Sequence, residues 1–209
     1  GKKDLFRGLA MERLEQDWES YPVLHIDFSI SKYLSAHYLR SAINWFLERW
    51  EREYGCCVED KKGTPFSVRL GNVIESAYKK TGKAVVVLVD EYDSPMLDTN
   101  SDVALQGELR GIMRDFFSPL KGMGQYLRFL FITGISKFSQ MSIFSELNNL
   151  QNISMRDDFS AICGTPEEAL AQIDSKQYAV PYQADGRRVV KVGVNFDSAT
   201  RTIGEWIVR

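Results

Sequence analysis

Apolar residues recur every three or four positions between 35 and 54. Leu39, Ile43, Phe46, Trp50 and Tyr54 form one stripe, with Arg40, Glu48, Arg49 and Glu51 elsewhere on the wheel. That spacing predicts an amphipathic helix. A second helix is predicted from Phe66 through Leu70, Val73, Ile74, Ala77 and Tyr78, stopping at Gly82. A third carries Leu105, Leu109, Ile112, Met113, Phe116 and Phe117 and closes at Ser118 and Pro119. The stretch "YGCCVEDKKGTP" (54–65) reads as a loop. Between these lie three β-rich runs: "YPVLHIDFS" (21–29), "AVVVLVD" (84–90) and "YLRFLFITGIS" (126–136).

The run at 84–90 is apolar throughout rather than alternating, the pattern of a strand buried on both faces in a parallel sheet. Strand, helix, helix, strand, helix, strand then predicts an α/β fold with crossover connections. After residue 164 the texture changes. "TPEEALAQIDSKQYAVPY" opens like a helix start, with Thr165 three residues before Glu168 and Pro166 in the first turn. "RRVVKVGVNFD" and "RTIGEWIV" read as two strands joined by a short turn near 197–200, either an edge hairpin of the same sheet or a separate small unit.

Composition adds mainly exclusions. The chain has 209 residues, is 44% hydrophobic and 26% charged, and carries a net charge of -2, so no chain-wide basic footprint for nucleic acid exists. Cys56, Cys57 and Cys163 are odd in number and two are adjacent, which suits a reducing compartment better than a disulfide framework. With His25 and His37 they make no zinc-ligand spacing. No apolar run approaches the roughly 20 residues that cross a bilayer, so a cytoplasmic protein without a membrane partner is expected. The first residue is Gly1 rather than Met, so processing or excision from a longer chain is also expected.

The chemistry concentrates at Asp90 and Glu91, two carboxylates at the carboxyl end of an apolar strand. Nucleotide-hydrolysing folds use that arrangement, the Asp to hold Mg²⁺ and the Glu to polarise the attacking water. A helix cap or a solvated strand end accounts for the same residues without chemistry. Thr133, Ser136 and Lys137, after the next strand, are the corresponding candidates for sensing a terminal phosphate; a small-residue turn with a solvated lysine is the alternative. The phosphate cradle Gly-x-x-x-x-Gly-Lys-[Ser/Thr] does not occur. Gly1–Lys2 and Gly82–Lys83 are the Gly-Lys pairs, and neither has the remaining positions. Two acidic-x-Lys triplets, at 59–61 and 174–176, fit the short motif of a Mg²⁺-dependent nuclease, but neither lies in a predicted strand.

Together, "GKKDLFRGLAMERLEQDWESYPVLHIDFS", "VVVLVDEYDSPML", "FFSPLKG" and "LRFLFITGISKFSQMSIFSELNNLQNISM" resemble the bacterial AAA-ATPase-like family, whose members carry a C-terminal PD-(D/E)XK nuclease-like domain. The resemblance implies an ASCE-type P-loop NTPase-like layered parallel sheet with flanking helices. It implies ATP and Mg²⁺ as cofactors of the parent, with Asp90 and Glu91 in the Walker B positions and Thr133 to Lys137 after the fourth core strand. The family's P-loop precedes the stretch that matches "GKKDLFRGLA", so the chain is expected to lack the P-loop strand and to be impaired or inactive. Residues 165–209, a C-terminal β-hairpin included, resemble the end of the nuclease-like domain. The resemblance therefore divides the chain into 1–164 and 165–209 and suggests an internal deletion near "ICGTPEEAL". A missing central strand exposes ladder edges, so either a homo-oligomer or a sheet completed by the 189–208 hairpin is expected. Nucleic acid enters as a partner only through the nuclease-like parent. A non-catalytic remnant or interaction module is the rival reading, and a nuclease-related protein the third.

Overall fold

The computed structural model describes residues 2–8, 10–56, 58–61, 63–99, 102–134, 150–151, 153, 167, 170–171, 174, 190–197 and 202–208. The chain divides into two compact units, Gly1–Asn149 and Leu150–Arg209.

In the first unit a short helix α1 (Ala10–Leu14) precedes strand β1 (Val23–Asp27), which leads through a 3-10 turn at Phe28–Ile30 into helix α2 (Ala36–Tyr54). Helix α3 (Phe66–Thr81), strand β2 (Val85–Asp90), the single turn α4 (Ser94–Leu97), helix α5 (Val103–Phe117) and strand β3 (Leu127–Ile132) follow. The three predicted helices and three predicted strands are all present, with ends moved by a few residues. Their ends have local causes. Gly82 follows α3 at φ 66, a left-handed conformation that glycine adopts without a Cβ penalty, and its N–H bonds the Tyr78 carbonyl at 2.8 Å. Asp102 caps α5 by accepting the Leu105 N–H at 2.9 Å.

The strands form one parallel sheet in the order β1-β2-β3, with Val23 opposite Val86, Asp27 opposite Asp90, Val87 opposite Leu130 and Val89 opposite Ile132. Alternate residues on β1 and β2 are sealed: Leu24, Ile26, Val85, Val87 and Val89 lose essentially all contact with water. Helices α2, α3 and α5 pack on one another and bring Leu39, Ile43, Phe46, Trp50, Leu70, Val73, Ile74, Leu109, Met113 and Phe116 into the same core. Phe28, just past β1, sits edge-on to Tyr33, Phe46 and Phe117 at centroid distances of 6.2, 6.2 and 6.3 Å.

Two expectations need correcting. Strand β2 is not sealed on both faces, because Val86 and Leu88 are half-buried while their neighbours on the helix side are closed. The rows Val23–Val86–Phe129 and His25–Leu88–Phe131 share this more open face, where Phe129 is 54% exposed. Glu51 does not belong to the solvated side of α2. It is only 4% exposed, and its two oxygens receive Nε and Nη2 of the fully buried Arg69 at 2.7 and 3.0 Å. Arg69 also donates to the Asn44 side chain, and Lys61 approaches Glu51 at 3.7 Å.

In the second unit Glu167, Leu170, Ala171 and Asp174 are helical, while Thr165 and Pro166 of the expected helix start lie outside the described residues. Strands β4 (Val192–Asp197) and β5 (Thr202–Val208) pair antiparallel as a two-stranded sheet of their own, Val192 opposite Val208 and Asp197 opposite Thr202.

Candidate functional site

The carboxyl ends of the three parallel strands bring together one polar residue each. β1 ends in Asp27, β2 in Asp90, and Thr133 follows β3 directly. Asp27 and Asp90 are register partners, so their backbones stand roughly 4.8 Å apart. Asp90 and Thr133 are tied: the Thr133 hydroxyl donates to Asp90 Oδ1, and the Thr133 N–H donates to the Val89 carbonyl at 2.8 Å. Asp90 Oδ1 also accepts the Glu91 N–H at 3.1 Å. Asp90 is exposed, and its Oδ2 accepts no hydrogen bond among the described residues. Asp27 takes the Ser29 N–H at 2.8 Å.

Glu91 has φ 52, a left-handed conformation that costs a residue with a Cβ of order 1 kcal/mol or more. Next to it the chain goes inward. Tyr92 is 3% exposed and Asp93 is fully buried; burial, then the neighbouring Asp93 carboxylate, pushes the Tyr92 hydroxyl up to about 12. Tyr33 is also fully buried, and its hydroxyl is held well above its usual range by burial, then by Asp27 and Asp98. Asp98, past α4, accepts the Tyr33 N–H at 3.1 Å and Lys32 at 3.2 Å, which fastens the loop after β1 to the loop after β2.

Of the residues singled out from sequence, Asp90, Glu91 and Thr133 lie together at this edge. Ser136 and Lys137 fall outside the described residues. Asp27 was missed; the ending "HID" carries it, but only the strand order puts it beside Asp90. The nuclease-type triplets serve the fold where they are described. Asp60 accepts the Gly63 N–H at 2.9 Å and Lys61 reaches Glu48 at 3.6 Å, while Asp174 pairs with Lys191.

The donor set fits a hard divalent cation held loosely. No group of three or more His, Cys, Asp or Glu able to hold a metal exists among the described residues. Mg²⁺ is commonly held by one or two carboxylates, with phosphates and water completing six positions, and the open Oδ2 of Asp90 suits that role. No helix among the described residues is long and apolar enough to cross a membrane.

A parallel α/β sheet with carboxylates at its carboxyl edge defines the class. A family model described as "Predicted AAA-ATPase" matches residues 1–144, and the chain belongs to this AAA-ATPase-like family. A model for the PD-(D/E)XK nuclease superfamily matches residues 144–206, so a nuclease-like segment follows the ATPase-like domain. A curated relative from Azotobacter chroococcum mcd 1, "Uncharacterized protein in vnfD 5'region", is 37% identical over 168 residues, which cover 80% of this chain and 32% of that protein. The chain thus matches about a third of the relative's length. No solved structure matches.

Proposed function

We propose that the whole protein binds ATP with Mg²⁺ at the carboxyl edge of the parallel sheet and hydrolyses it, and that these 209 residues alone do so poorly or not at all. The observation that carries this reading is the pairing of Asp90 with Thr133, which occupies Oδ1 and leaves Oδ2 open. Asp90 would hold the metal through Oδ2, and Glu91 would accept the proton of the attacking water. Thr133, Ser136 and Lys137 would meet the terminal phosphate. Bound Mg²⁺ supplies neutralisation of the phosphate charge.

The sequence contains no Gly-x-x-x-x-Gly-Lys-[Ser/Thr], and triphosphate affinity depends on the backbone N–H donors of such a cradle. In this proposal the sheet continues beyond the three strands with a P-loop strand, 1–164 forms the ATPase-like part, and 165–209 is the end of a nuclease-like domain. That missing motif also favours a second reading, a non-catalytic interaction module that keeps the sheet and not the reaction. Self-association, and nucleic acid met through the nuclease-like segment, are the partners proposed.

A titration with a fluorescent ATP analogue, with and without Mg²⁺, separates the two readings when run on the whole polypeptide and on the 209-residue chain. Mg²⁺-dependent binding by the whole protein, abolished by Asp90→Asn, is expected, with hydrolysis lost and binding kept in Glu91→Gln. No binding by the whole protein at millimolar nucleotide overturns the ATPase reading in favour of the module. Mg²⁺-dependent binding by the 209 residues alone, lost in Asp90→Asn, overturns the claim that the cradle lies outside them.

A further inference from the structure

In a regular parallel ladder every second residue of a strand donates its N–H to the residue before its partner and accepts from the residue after it. Continuing the register from Val89 opposite Ile132 sets Thr133 opposite Asp90. Its N–H goes to the Val89 carbonyl as the ladder requires, at 2.8 Å, so its carbonyl should receive the Glu91 N–H. It receives the Tyr92 N–H instead, at 3.1 Å. Glu91 is therefore one extra residue looped out of the ladder, its own N–H turned back to Asp90 Oδ1 and its φ at 52. This is the geometry of a bulge, which re-aims a side chain at the cost of local strain.

Gly134 lies close against Tyr92, which takes the place that Glu91 would have. A Cβ built on Gly134 would stand 2.5 Å from Asp93 Oδ1 and 2.5 Å from Cδ1 and Cε1 of the Tyr92 ring, closer than real Cβ contacts come. With Tyr92 and Asp93 both buried against this position, only a residue without a side chain lets the loop close on β3.

We infer that Gly134 is a positioning residue for Glu91: by admitting Tyr92 and Asp93 it selects the bulged register that sets where the half-buried Glu91 side chain stands. The inference rests on Glu91 as the water-activating group proposed above, but its geometry is testable without nucleotide. In Gly134→Ala the loop is pushed off, the Thr133 carbonyl returns to the Glu91 N–H, and Glu91 becomes ordinary extended backbone with its side chain shifted to the other face.

The test is the sign of φ at Glu91, read by NMR from its one-bond Cα–Hα coupling in the full chain, with and without Gly134→Ala. A change to negative φ is expected, and an unchanged positive φ overturns the inference. Stability provides an independent reading. Glu91→Gly should raise the urea midpoint in the native background, where it relieves a left-handed residue, and lower it in Gly134→Ala, where glycine only adds unfolded-state freedom. An equal rise in both backgrounds overturns the coupling. Should Gly134→Ala not fold, Tyr92→Ala added to it removes the ring that the new Cβ meets and should recover the fold with a positive φ at Glu91; no recovery overturns the inference. In the whole polypeptide the change should lower kcat and leave the nucleotide Kd unchanged. A φ change without any hydrolysis in the unsubstituted protein supports the bulge and overturns only the ATPase reading.

Discussion

Two groups of carboxylates in the ATPase-like domain are handled in opposite ways. Glu51, between α2 and α3, is buried and met by a guanidinium through two bonds, with Lys61 behind it. Asp27 and Asp90, side by side at the strand ends, are met by N–H and O–H donors, and no cation is in ion-pair range of either among the described residues. A buried charge without its counter-charge is very costly, so the Glu51 pair is self-sufficient. Two adjacent acids with neutral donors form an arrangement that a cation would complete. In the reading proposed above, the difference separates acids that hold the fold from acids left available for chemistry.

The largest effect expected from breaking this contrast is at Arg69. Arg69→Met leaves Glu51 buried with Lys61 alone and should cost about 3–5 kcal/mol, visible as a large drop in the urea midpoint. Replacing Glu51 by Leu in the same chain removes the stranded charge and should recover much of the loss. A double variant no better than the single one would mean the pair is worth more than its isostere.

Next in size is the alkaline limit. Tyr92 and Tyr54 are both pushed up to about 12 by burial first, with Asp93 and Glu53 respectively as the next cause. A folded pKa raised above the unfolded value near 10 means stability is fully present below about pH 10 and falls as pH rises towards 12. Chemical unfolding followed from pH 9 to 12 should show this decline, and Tyr92→Phe should make it shallower. A pH-independent profile would indicate that the Tyr92–Asp93 pocket is already open to water.

Asp102 represents a third use of a carboxylate, one hydrogen bond at a helix start. Asp102→Ala should cost about 1 kcal/mol by thermal unfolding, well below the Arg69 change, because the freed Leu105 N–H can turn to water.

How far these roles could be read in advance follows from what each depends on. The β2 strand and its terminal acids depend on local order, an apolar run followed by Asp90 and Glu91, and were legible. The helices were legible from Leu39, Ile43, Phe46 and Trp50, because a 3.6-residue period is a property of neighbours in the chain. Glu51 was not, since the wheel places every charge on the wet side unless a cation 18 residues on is known to meet it. The face of β2 carrying Val86 and Leu88 was misread as sealed, because an apolar run cannot say on which side the helices pack. Asp27 needed the strand order, and the left-handed Glu91 needed the approach of Gly134 to Tyr92 and Asp93, 42 and 41 residues earlier in the chain. What failed to show was in each case tertiary.

The smallest effect concerns Asp27 itself. Like charges on adjacent strands repel, and such cross-strand pairs are worth about 0.2–1 kcal/mol. Asp27→Asn keeps an acceptor for the Ser29 N–H at the end of β1 while removing one charge beside Asp90. At low salt it should stabilise the chain by about 0.3 kcal/mol, within that range. In 1 M salt, where charges are screened beyond about 3 Å, the gain should vanish. It should vanish equally in an Asp90→Asn background, where there is nothing left to repel, and this double-variant cycle distinguishes repulsion from any change in capping. If Asp27→Asn is instead destabilising at low salt, the ionised carboxylate is needed by its backbone donor. Asp27 would then stand with Glu51 among the acids that hold the fold, leaving Asp90 and Glu91 alone available to a cation.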